Sequence, residues 1–146
     1  MDQPGEAGSL WNYYSIHSIP SALDIVWCHF PEDNDLGKPG PKPRPALVRA
    51  VKLNQQRTRA EIEVTYGTSK LKSFQRPFDL VISNAGDLAA MKLPQATRFD
   101  LDNTIWLPWA EEWFKGRVHG QSPIIGPLSQ EYRRLLAELK EARSYR

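Results

Sequence analysis

Apolar positions in the middle of the chain recur at strand spacing rather than helix spacing. Residues 25–30 (IVWCHF) are β-branched or aromatic at most positions, as a strand covered on both faces requires. Residues 46–53 and 61–66 form two further runs on either side of a polar loop at 54–59. In the second of these, Ile62, Val64 and Tyr66 alternate with Glu61, Glu63 and Thr65, the period of two that predicts a half-buried strand. A shorter apolar run covers 78–82, while 97–101 and 104–107 meet at Asp102-Asn103, which predicts a two-residue hairpin loop. Near the C-terminus the period changes. After Ser129, Tyr132, Leu135, Leu136 and Leu139 repeat at i, i+3, i+4 and i+7. This predicts a helix capped by Ser129, with Glu131 in its first turn and Arg143 and Arg146 at its end. Shorter helical turns are expected at 110–114 and 86–91. Short strands separated by polar turns predict a mainly β domain, a small β-barrel with a C-terminal α-helix and short accessory helices.

The same pattern divides the chain. Residues 1–20 read as an N-terminal arm, partly flexible at its polar, glycine-containing start. Trp11, Tyr13, Tyr14 and Ile16 carry too much apolar area to leave in water, so the arm is expected to dock. The barrel then takes residues 21–128, and the helix that packs on it takes 129–146.

Composition narrows the class. With 146 residues, 40% hydrophobic and 25% charged, the chain matches one globular domain and excludes wholesale disorder. No apolar run approaches the ~18 residues of a membrane span, and no basic-then-apolar leader opens the sequence. Cys28, the single cysteine, makes neither an internal disulfide nor a thiolate zinc site alone and reads as a small buried hydrophobe. The expected location is the cytoplasm. His17, His29 and His119 lack metal-ligand spacing, and Asp33-Asn34-Asp35 lacks the downstream glutamate of a calcium loop, so neither metal nor cofactor is expected. His29, at the end of the first strand, reads either as a candidate general base or as a histidine satisfied by hydrogen bonds.

Net charge is only +2, but its distribution is uneven. Residues 38–59 hold Lys38, Lys42, Arg44, Arg49, Lys52, Arg57 and Arg59 and no acid, directly after Glu32, Asp33 and Asp35. The loop at 31–45 is long for a compact domain, and loops of that length are usually functional or disordered. Pro39, Pro41, Pro43 and Pro45 stiffen it and hold Arg44 on a rigid stem at the mouth of a strand. A guanidinium so placed can fork onto a phosphate, or onto loop carbonyls. At the end of the next long strand stands Thr65-Tyr66-Gly67-Thr68-Ser69-Lys70. Gly67 permits close backbone approach or a bulge, and two hydroxyls and a cation suit an oxyanion as well as a strand-ending turn. Strands paired across 54–59 set the start of one opposite the end of the other. Arg44 is therefore expected beside Thr68.

These residues carry a resemblance. Asp24-Ile25-Val26-Trp27, Arg44-Pro45-Ala46-Leu47-Val48 and Gly67-Thr68-Ser69, in that order, resemble the PemK/MazF family of toxin endoribonucleases, over roughly residues 23–128. Leu23 stands where the family usually has glycine. The resemblance implies an SH3-like β-barrel, a homodimer, and metal-independent cleavage of single-stranded RNA by attack of the 2′-hydroxyl, leaving a 2′,3′-cyclic phosphate. It puts the motif residues on Arg44 and Thr68, with Ser69 beside them as catalytic candidates. It also implies that the loop at 31–43 covers the site and reads bases, and that a cognate antitoxin masks the groove. Lys38, Lys42, Lys70 and Arg49 become candidate RNA-binding cations. A free guanidinium titrates above ~12 and is a poor base near neutrality, so Arg44 is expected to bind phosphate and stabilise the transition state. Trp106, Trp109, Trp113 and Phe114 are expected in the core or at a dimer seam. Two other functions fit the same fold: a non-catalytic inhibitor of a protein such as DNA gyrase, and a nucleic-acid-binding barrel without activity.

Overall fold

The computed structural model describes residues 10–71 and 79–144. Six strands form one antiparallel sheet that curls into a half-barrel: β1 (Asp24–Cys28), β2 (Arg44–Leu53), β3 (Ala60–Thr68), β4 (Leu80–Ile82), β5 (Thr97–Pro108) and β6 (Ile124–Pro127). Their order across the sheet is β4-β5-β3-β2-β1-β6. Helix α1 (Ala85–Ala90) follows β4 and helix α2 (Gln130–Arg143) ends the described chain, so the fold is mainly β with a C-terminal helix. No helix of the described residues is long and apolar enough to cross a membrane.

Alternation along β1 and β2 explains why both faces are covered. Val26 and Cys28 face one apolar cluster with Ala46, Val48, Ile62 and Val64, whereas Ile25 and Leu47 face the other. The first cluster is closed by Trp109, Trp113 and Phe114 and by the arm, which lays Trp11, Tyr13, Tyr14 and Ile19 against it. The arm is fixed by polar contacts as well. Tyr14 N–H donates to the Trp109 carbonyl, Tyr14 Oη–H to that of Phe114, and Tyr13 Oη–H to Glu61. Burial in the first place, and then Glu61, push Tyr13 up to about 12. Cys28 belongs to this core, and its burial pushes the thiol up. The second cluster holds Leu80, Ile82, Phe99 and Leu128 under Tyr132 and Leu136 of α2.

Several expectations need correction. The strand pattern broken at Asp102-Asn103 is no hairpin: β5 continues through it. Its register with β3 slips, from Thr65 opposite Thr104 to Gly67 opposite Phe99, so residues 100–103 stand against Tyr66 as a bulge. A polar pair interrupting an apolar run looks the same in either case. Residues 110–114 do form the expected helical turn, the Phe114 N–H donating to the Ala110 carbonyl, and the turn expected at 86–91 is α1, capped by Asn84. Ser129 occupies the N-cap of α2 but makes no side-chain cap bond. Leu135 is 36% exposed, because α2 buries a narrower stripe than its leucines suggest. Trp109, Trp113 and Phe114 are core, but Trp106 is 44% exposed. Residues 1–9, Phe78 and Arg146 lie outside the described residues.

Candidate active site

Two backbone features bring the candidates together. Ala46 pairs with Tyr66 across β2 and β3, and continuing that register by two residues sets Arg44 against Thr68. Gly67 lets the strands close: a Cβ there would sit 2.2 Å from the Pro45 carbonyl oxygen. Arg44, Gly67, Thr68 and Ser69 then line one cavity of about 130 Å³, with Trp27, Gln95, Thr97 and Arg117. Among the described residues no carboxylate lines it. Thr68 is buried, and its Oγ1 accepts from the Lys70 backbone N–H at 3.1 Å, leaving the hydroxyl proton available to a ligand. Among the described residues the Arg44 guanidinium has no ion pair; it lies over the Tyr66 ring, 5.8 Å from its centroid.

A buried ion pair stiffens the end of β3. Arg98 donates through Nη1 to Asp79 at 2.8 Å and through Nε to the Lys70 carbonyl at 3.1 Å. Both side chains are almost fully buried, so the Lys70 backbone is held by a group that cannot easily swing out. This anchor fixes the turn on which Thr68 and Ser69 stand.

Arg44 also borders a second cavity of about 380 Å³, lined by Phe30, Glu32, Asp33, Lys42, Tyr66 and Asn103 among others. Asn103 reaches it from the β5 bulge. The two cavities differ in charge: the smaller presents guanidinium and hydroxyl groups, the larger adds Glu32 and Asp33 beside an aromatic wall. The remaining acid of the loop, Asp35, is turned to Lys38 at 3.7 Å and to the Gly37 N–H. The loop returns onto β1 through Gly40, whose N–H donates to the His29 carbonyl and where a Cβ would meet the Phe30 carbonyl oxygen at 2.1 Å.

The other candidates are dispersed. His29 is tied into the loop base, its Nδ1 3.0 Å from the Gly40 carbonyl, and lines neither cavity. Lys42 lines the larger cavity, and Lys38 is held by Asp35. Arg49 faces elsewhere, donating to Thr65 Oγ1 at 3.1 Å. Lys70 contributes its backbone to the turn. The described part of the arm enters neither cavity. Sequence reasoning missed Arg117, Gln95 and Asn103, which come from irregular segments with no periodic signal. Among the described residues no three His, Cys, Asp or Glu side chains gather closely enough to hold a metal ion. In comparisons with protein-family models and with curated proteins, the chain matches none.

Proposed function

We propose that this protein is an endoribonuclease of the PemK/MazF type, cleaving single-stranded RNA without a metal ion. The observation that carries this reading is that Arg44 and Thr68, from adjacent strands, line one cavity with no carboxylate among its described lining residues. A phosphodiester seated there accepts hydrogen bonds from the Arg44 fork and the Thr68 hydroxyl. The 2′-oxygen bonds to phosphorus, the P–O5′ bond breaks, and the proton lost by the 2′-hydroxyl is balanced by the one gained at the 5′-oxygen. The extra negative charge of the pentacoordinate phosphorane develops on its non-bridging oxygens, where Arg44 donates, a preorganised donor of the kind worth ~3–4 kcal/mol. Ser69, beside Thr68, is a second hydroxyl for the same oxygens. The larger cavity takes the neighbouring base, with the aromatic ring of Tyr66 for stacking and Glu32, Asp33 and Asn103 for its polar edge.

The half-barrel is read as the SH3-like barrel of that family. Leu23 supports the reading: at the family's glycine position the backbone has φ +70, the left-handed region that favours glycine. On the same reading the working form is a homodimer, and a cognate antitoxin covers the Arg44 groove. Incubating purified protein with mixed RNA in EDTA tests the proposal. The expected products carry 2′,3′-cyclic phosphate and 5′-hydroxyl ends, and the Arg44→Ala variant yields none above background. Intact RNA with the wild-type protein, in a preparation that arrests growth on expression, favours the inhibitor of a protein target instead.

A further inference from the structure

We propose that Arg117 is a second phosphate-binding guanidinium, closing on the scissile phosphate from the side opposite Arg44; this rests on the endoribonuclease reading for the identity of the phosphate. Arg117 comes from the segment before β6, more than 70 residues after Arg44, yet both line the 130 Å³ cavity. Its wall offers guanidinium, hydroxyl and amide groups, the donors from which a phosphate accepts hydrogen bonds. Arg44 and Arg117 both border a cavity with no carboxylate among its described lining residues, which leaves a local excess of positive charge. An anion entering it neutralises that excess.

The local structure holds Arg117 ready. Its guanidinium lies over the Trp27 ring, 4.7 Å from the centroid, and Trp27 is itself 4% exposed on β1. Stacking of this kind fixes the plane of the fork without using its donors. The segment is pinned at its base: Gln121 Oε1 accepts from the Arg117 N–H at 2.7 Å, and Trp27 N–H donates to the Pro123 carbonyl at 2.7 Å. Gly116 is packed so closely on Gln121 that a Cβ would approach it to 2.6 Å. Among the described residues no ion pair engages the Arg117 guanidinium, although Arg117 also borders a cavity of about 600 Å³ that Glu111 and Glu112 line.

The test separates binding from cleavage. A mixed-sequence 2′-deoxy single strand lacks the attacking hydroxyl, so its affinity and salt dependence report phosphate contact alone. For Arg117→Ala, with an unchanged melting temperature, affinity is expected to fall about tenfold and the slope of log K against log salt to shrink by about 0.7. Arg117→Lys is expected to restore the slope but only part of the affinity, because the point charge returns without the fork or the stacking. Arg134→Ala, a cation of α2 outside the cavity, serves as the control. Unchanged affinity and slope in Arg117→Ala overturn the proposal, as does failure of the wild-type protein to bind the strand. If the strand binds with the expected Arg117 dependence but unmodified RNA stays intact, the cleavage reading falls and the phosphate clamp stands.

Discussion

Arg44 and Arg49 stand five positions apart on β2 in one basic stretch, and the fold gives them different work. Arg44 opens the strand, keeps its fork free of ion pairs among the described residues, and lies beside Thr68 on the small cavity. Arg49 sits where the register with β3 slips between Val48 and Ala50, and its Nη1 is committed to Thr65. Burial in the first place, and then the nearby charge of Arg143 against the opposing pull of Glu63, lowers its pKa from the ordinary arginine value. It lines a separate cavity of about 400 Å³ with Lys140, Arg143 and Ser144. A run of basic residues is therefore not one binding surface. The pleat and the bulge divide it: of these two arginines, Arg49 is committed to Thr65 and Arg44 is left bordering the small cavity.

This contrast can be tested at four strengths. Arg44→Ala should cut RNA cleavage by about 10²–10³ while leaving the unfolding midpoint nearly unchanged, as loss of one preorganised donor does; rate and melting curves on the same sample check it. Gly67→Ala should cost about 3 kcal/mol of stability, since the added methyl meets the Pro45 backbone rather than a movable side chain; urea unfolding measures it. Arg49→Ala should cost about 1 kcal/mol, the net worth of a partly buried hydrogen bond, and leave cleavage within twofold. The smallest effect lies far from either arginine. Tyr132 Oη–H donates to Asp87 at 2.6 Å, joining α2 to α1, and this bond first, then burial, pushes the tyrosine up to about 12. Its folded value exceeds the unfolded value of ~10, so the stabilisation is full below pH ~10 and is lost as pH rises through about 12. In Tyr132→Phe that alkaline loss should shrink, with Tyr13, Tyr14 and Cys28, all raised, supplying the remainder, as denaturation across pH 9–12 would show.

Much of the frame was legible in the sequence because it rests on short-range pattern. The period-two run at 61–66, the doubly apolar 25–30 and the polar loop between two strands sufficed to predict the β2–β3 pairing that brings Arg44 and Thr68 to one cavity. What escaped depends on contacts without a period. Nothing in Arg117-Val118-His119-Gly120 says that its first residue folds back over Trp27; two flanking glycines mark only a turn. Asp102-Asn103 carries turn chemistry, yet β5 runs on through it, paired with β3 at Phe99 before it and at Thr104 after it. The ion pair between Arg98 and Asp79 was invisible for a related reason, since a charged residue in a strand reads as solvent-facing until its partner is known.

Single-turnover cleavage of one defined transcript in EDTA, by wild type, Arg44→Ala and Arg49→Ala side by side, bears most directly on the division of labour along β2. The structure leads to a loss of at least about a hundredfold for Arg44→Ala and a near-native rate for Arg49→Ala. Comparable rates in Arg44→Ala and the wild type, or equal losses in the two variants, would contradict it.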